Sequence, residues 1–176
     1  MPDLVLPSPW PQFLAEVDQS LSAAVELHCV GGFVLTAVYE ISRSTADLDY
    51  VSVIPRQLGE ELEKLAGRDS ALAKKQRVFL QAVGIADLPG NYEERLQTLP
   101  LHLKKITLRA PDPYDLILSK LTRNSPKDME DVKALAQKLH LRFDVLMERF
   151  EREMVVPNRR WHEQTLNVVW KEYFEI

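Results

Sequence analysis

A single cysteine, Cys29, in 176 residues leaves no partner for an intrachain disulfide and excludes a cysteine-rich zinc site. It lies among Val25, Leu27 and Val30 and reads as a small core residue. No apolar run approaches the ~20 residues that a membrane-spanning helix needs, so no membrane partner is expected. The first residues hold no basic stretch followed by an apolar one, so no secretory signal is expected and the default residence is cytoplasmic. Positive charge is also scarce: 22 Lys and Arg against 26 Asp and Glu give a formal net charge of −4. No global basic field draws nucleic acid to this chain, and an RNA partner would need a local basic patch. The four histidines, His28, His102, His140 and His162, are too scattered to form a metal motif. No serine stands in a nucleophile-elbow context, and there is neither an internal repeat nor a low-complexity tract.

The most informative feature present is Asp47-Leu48-Asp49, sixteen residues after Gly31 of the Gly31-Gly32 pair. In a strand, residues two apart share a face, with Cα atoms roughly 6.6 Å apart. Asp47 and Asp49 therefore aim two carboxylates the same way. Such neighbours repel and desolvate each other, and a divalent cation between them removes that cost. Oxygen-only ligands suit Mg²⁺, which binds one or two carboxylates together with phosphate oxygens and water. The glycines allow a backbone to approach a phosphate closely, ahead of a helix N-terminus that favours anions. The combination points to metal-assisted phosphoryl or nucleotidyl transfer. Phe33 follows the glycines, so no serine hydroxyl stands at that spot; Thr36, Ser44 and Thr45 are the candidates to supply one, and Arg43 is a candidate triphosphate contact. The competing reading is a tight turn followed by two solvated acids on an edge strand.

The expected elements surround this feature. A Pro-rich lead-in precedes a helix from Pro11 to about Ala24, with Phe13, Leu14, Val17 and Leu21 at helical spacing. A strand over Glu26 to Val30 ends at the glycines, and a helix follows to about Glu40. Asp47 to Ile54 reads as a strand closed by Pro55. Helices are expected over 57–67 and from Ala71 to about Val83, then a loop from Gly84 to Pro100. Residues 102–109 alternate apolar and basic side chains, which predicts a half-exposed strand with Lys104, Lys105 and Arg109 as a local basic strip. Asp112-Pro113 and Ser125-Pro126 each start a helix with an N-cap and proline in the first turn. Two more helices are expected over 142–153 and 158–174. The expected fold class is α+β: a small mixed sheet flanked by helices, with a helical C-terminal half. The expected division is a core over 1–111 and a helical region over 112–176 packed on it, compact as one domain.

The second block of interest is Asp112-Pro113-Tyr114-Asp115-Leu116, then Lys120-Leu121, Arg123 and Lys127-Asp128-Met129-Glu130-Asp131. Lys120 sits on or beside the apolar face formed by Leu116, Ile117 and Leu121. It either snorkels to the rim or reaches inward to a nucleotide or to strand carboxylates. Asp128 is the third residue of its helix, where a capping box with Ser125 explains it. Asp131, one turn on, has no capping duty. Lys127 and Arg123 lie where phosphate or RNA backbone could be met.

Together the two blocks resemble the nucleotidyltransferase superfamily and, more narrowly, the bacterial abortive-infection and toxin-type nucleotidyltransferases, over about residues 25 to 140. The resemblance implies the following roles. Asp47 and Asp49 would hold Mg²⁺. Gly31, Gly32, Arg43, Thr45, Lys127 and Asp128 would contact the NTP. Lys120 and Asp131 would complete the catalytic set. It further implies transfer to an RNA (tRNA-like) or protein acceptor, and a toxin role beside an antitoxin in phage defence. The chain departs from the superfamily pattern in one respect: the strand expected over 102–109 offers no third carboxylate. The alternative is a catalytically degenerate scaffold that serves as a binding or regulatory partner.

Overall fold

The computed structural model describes residues 4–41, 44–84 and 86–174. They form an α+β structure with eight helices and a five-stranded mixed sheet, divided between two compact units.

The first unit (residues 1–85 and 96–110) carries the sheet. Its elements are α1 (Trp10–Ser20), β1 (Val25–Val30), α2 (Gly31–Ala37), β2 (Asp47–Ile54), α3 (Gly59–Ala66), α4 (Ala71–Gln76), β3 (Phe79–Ala82), β4 (Gln97–Thr98) and β5 (Ile106–Ala110). The strand order is β3-β2-β1-β5-β4. β1 runs antiparallel to β2 and parallel to β5; β2 runs parallel to β3. Leu27 and Cys29 of β1, Leu48 and Tyr50 of β2, Leu80 of β3, and Leu108 and Ala110 of β5 are buried. Burial also pushes the Cys29 thiol's pKa up, as befits a core residue. α1 presents Trp10, Phe13, Leu14 and Val17 as one buried stripe, and Trp10 meets Phe33 of α2 edge-on at 4.9 Å between centroids.

The sheet differs from expectation in three places. The helix expected to reach Val83 stops at Gln76, because Arg77 turns left-handed at a φ of 61° and its N–H bonds the Ala73 carbonyl at 2.7 Å. The chain then becomes β3, starting with the Phe79 N–H to the Ala46 carbonyl at 2.9 Å. Pairing with β2 overrides the helical periodicity, and Val78, Phe79 and Leu80 suit a pleated surface. β5 begins at Ile106 rather than at His102. The backbone N–H groups of Lys104, Lys105 and Ile106 all bond the Asp18 carboxylate, at 3.0, 2.7 and 2.8 Å, which holds the preceding stretch irregular. Within the expected loop, Gln97–Thr98 adds an antiparallel edge to β5. α1 also ends early, where Leu21 turns extended.

The second unit (residues 86–95 and 111–176) is helical: α5 (Pro113–Arg123), α6 (Pro126–Leu139), α7 (Phe143–Glu153) and α8 (Arg159–Phe174), with a short 3-10 turn at Tyr92–Arg95. Its cap chemistry follows the sequence. Asp112 accepts from the Tyr114 N–H at 2.9 Å, and Ser125 forms a capping box with Asp128. Asn124 and His140 close α5 and α6 in left-handed conformations. Asp115 is fully buried and takes a bidentate bond from Arg95 (2.9 and 2.9 Å) and one from Arg149 (2.8 Å). Arg95 also reaches Glu153 at 2.7 Å, so one ionic cluster fastens the 86–95 segment to α5 and α7. Among the described residues no helix is long and apolar enough to cross a membrane.

Candidate active site

β2 presents the two aspartates as the alternation requires. Leu48 and Tyr50 point into the core, while Asp47 and Asp49 are half-buried on the other face. The Thr45 hydroxyl donates to the Asp47 carboxylate at 2.6 Å, fixing its orientation just before the strand. Asp49 pairs in register with Val30, the last residue of β1, so the glycine turn lies next to it. Gly31 has a φ of 73°, open to glycine at little cost. A Cβ there would run into the Asp49 carboxylate, whose Cγ lies 3.2 Å from the ideal position. Gly31 is thus required twice, by its backbone angle and by the carboxylate against it. Gly32 follows as a buried residue of α2.

The same face continues onto the neighbouring strands. On β3, Phe79 is the register partner of Asp47 and Gln81 that of Asp49, while the intervening pair Leu48 and Leu80 is buried. Glu26 and His28 of β1 pair with Thr107 and Arg109 of β5. Glu26 joins His28 at 3.0 Å and Arg109 at 3.4 Å. On this face β3, beside β2, carries Gln81, and β5, one strand further off past β1, carries Thr107 and Arg109, so no third acid stands at these positions. Among the described residues, no group of three or more His, Cys, Asp or Glu side chains is arranged to hold a metal. The two-carboxylate set still fits Mg²⁺, which takes its remaining ligands from phosphate and water. Arg43 lies outside the described residues. The expected basic strip is dispersed: Lys104 is exposed, Lys105 Nζ donates to the Gln19 and Leu21 carbonyls at the end of α1, and Arg109 bonds Glu26 and the Leu96 carbonyl.

Within the second unit, Lys120, Asp128 and Asp131 come together. Lys120 is buried and donates to Asp131 at 2.7 Å and to Asp128 at 3.3 Å. Burial opposes charge on Asp128, yet bonds from Arg123 and Ser125 and the nearby Lys120 ammonium hold its carboxyl well below the usual carboxylate range. Lys120, Arg123, Asp128 and Asp131 thus form a charge-balanced cluster. Lys127 is exposed at the start of α6. Sequence reasoning gave no role to Asp18, Glu26, Arg68, Gln81 and Asp115. For Glu26 the alternation of its strand was an available signal.

No curated protein and no solved structure matches the chain. One family model matches residues 12–176. That span covers nearly the whole sequence, including the glycine turn, the aspartate strand and the helical block, and the chain belongs to the family DUF6036, described as a nucleotidyltransferase of unknown function.

Proposed function

We propose that the protein is a Mg²⁺-dependent enzyme that transfers a nucleoside monophosphate from an NTP to an acceptor on the polar face of β2. The carrying observation is the pair of half-buried carboxylates, Asp47 and Asp49, on one face beside a glycine turn that leaves room for Asp49. Asp47 and Asp49 hold the ion, which when bound offsets triphosphate charge and steadies the leaving pyrophosphate. Thr45 keeps Asp47 aimed, and Gly31 and Gly32 admit a phosphate against bare backbone. In the transfer, an acceptor oxygen bonds the α-phosphorus and the α–β phosphoanhydride bond breaks. Pyrophosphate leaves, and the acceptor's proton passes to water.

On the resemblance, Lys120 and Asp131 are assigned to position nucleotide or acceptor; in the structure Lys120 donates to Asp131 at 2.7 Å. Arg43 and Lys127 are assigned contacts to phosphate. The acceptor is proposed to be a tRNA-like RNA end or a protein side chain, and the setting a toxin restrained by an antitoxin in phage defence. Both rest on the resemblance carried by residues 31–49 and 112–131.

The test is incubation with each α-labelled NTP, Mg²⁺ and total RNA, alongside the protein alone. Label is expected on a macromolecule with wild-type protein and on none with Asp49→Asn. Equal labelling by both refutes the site. The lack of a third acid beside Asp49 favours one other reading, a scaffold that binds nucleotide without turnover. Binding of Mg²⁺ and NTP with no label transferred to any acceptor supports that one.

A further inference from the structure

We propose that Arg68 receives the phosphate tail of the nucleotide, with Phe79 and Gln81 holding its guanidinium in place; this rests on the reading of Asp47 and Asp49 as the metal site. The register sets the geometry. Phe79 and Gln81 stand beside Asp47 and Asp49 on the adjacent strand, and in-register partners share a face at a strand spacing of about 4.8 Å. Arg68 joins this face from the connection between α3 and α4. Its guanidinium lies 4.5 Å from the Phe79 ring centroid, and Nη2 donates to the Gln81 side-chain carbonyl at 3.2 Å.

The connection that carries Arg68 is tightly specified. The Gly67 N–H bonds the Glu63 carbonyl at 2.8 Å, and the Ser70 N–H bonds the Gly67 carbonyl at 3.0 Å. The Ser70 hydroxyl caps α4 by accepting from the Ala73 N–H at 3.0 Å. A Cβ at Gly67 would strike both the side chain and the backbone oxygen of Glu63, so the turn accepts no larger residue without shifting. Arg68 is therefore an exposed side chain on a fixed base, with its guanidinium carbon over an aromatic ring.

Its partners matter as much as its position. Both are neutral, and among the described residues Arg68 forms no ion pair. An acid at position 81 would neutralise the guanidinium; glutamine orients it and leaves its charge available. Two aspartates and a triphosphate bring more negative charge to one spot than a single divalent ion offsets, so the site needs a fixed cation. A guanidinium presents a planar fork of donors matched to phosphate oxygens, and stacking on a ring reduces the freedom lost on binding.

Equilibrium titration tests the assignment. The probes are the α,β-methylene analogues of the four NTPs and the corresponding monophosphates, each with Mg²⁺. The proteins are wild type, Arg68→Ala, Arg68→Lys and Gln81→Glu. Arg68→Ala is expected to weaken triphosphate binding about tenfold or more while leaving monophosphate binding within about twofold. Arg68→Lys retains part of the affinity, and Gln81→Glu loses it as Arg68→Ala does, because the new acid captures the guanidinium. Triphosphate binding that Arg68→Ala leaves unchanged, or an equal loss for monophosphate and triphosphate, overturns the role of Arg68 alone. Failure of the wild-type protein to bind any triphosphate overturns both this role and the metal-site reading.

Discussion

Gly31 holds a backbone φ of 73° with the Asp49 carboxylate where a Cβ would stand, so its substitution tests turn and acid together. Gly31→Ala places an L side chain in the left-handed region at a cost of roughly 1–2 kcal/mol and pushes Asp49 aside. The expected outcome is a small fall in melting temperature with loss of nucleotide transfer; an Ala variant with wild-type transfer would show that Asp49 need not hold its position. Thr45→Val removes the 2.6 Å bond to Asp47 and leaves both carboxylates in place. Metal affinity measured by titration should fall about tenfold, the usual penalty for losing a group that orients a ligand. At this scale the aspartates were legible, because strand alternation alone puts Leu48 and Tyr50 inside and the two acids on the opposite face. Asp115 and Asp18 were not legible. Their partners, Arg95 and Arg149 in one case and the 104–106 backbone in the other, are separated from them by 20 to 88 positions.

α5 and α6 are joined by a buried ionic cluster that makes Lys120 structural whatever else it does. Removing the ammonium takes the buried cation from Asp131 and leaves Asp128 to Arg123, so Lys120→Ala is expected to cost about 3–5 kcal/mol by urea unfolding. Replacing Lys120 and Asp131 together with Met and Leu should cost distinctly less than that single change, since fewer charges are left unpaired. A double variant less stable than Lys120→Ala would contradict the account. For the same reason, loss of activity in Lys120→Ala is informative only beside its stability. The starts of α5 and α6 were plain in the sequence because Asp112-Pro113 and Ser125-Pro126 act locally. β3 was hidden: no glycine or asparagine marks the break at Arg77, and the strand exists because β2 offers it a partner.

For the molecule as a whole, pH couples to stability through carboxylates already engaged in the fold. Burial opposes charge on Asp18, but the N–H groups of Lys105, Lys104 and Ile106 lower its pKa. Asp128 is lowered as well, by Arg123 and Ser125 against its burial. A carboxylate whose pKa is depressed on folding contributes stability above its unfolded value of about 4 and loses it as pH falls through the folded value. Unfolding free energy should therefore decline as pH drops below about 4, and more shallowly in Asp18→Asn; an unchanged slope in that variant would remove Asp18 from the account. The fold class was legible from the order of strand and helix patterns. The identity of the residues flanking the aspartates was not, because it depends on which strand lies beside β2.

The most direct measurement of the central claim is Mn²⁺ electron paramagnetic resonance, with Mn²⁺ standing in for Mg²⁺ and a non-hydrolysable NTP present. Wild-type protein is predicted to bind one ion per chain, and Asp47→Asn/Asp49→Asn to bind none at the same concentrations. Equal ion binding by the double variant would contradict the assignment of these two carboxylates.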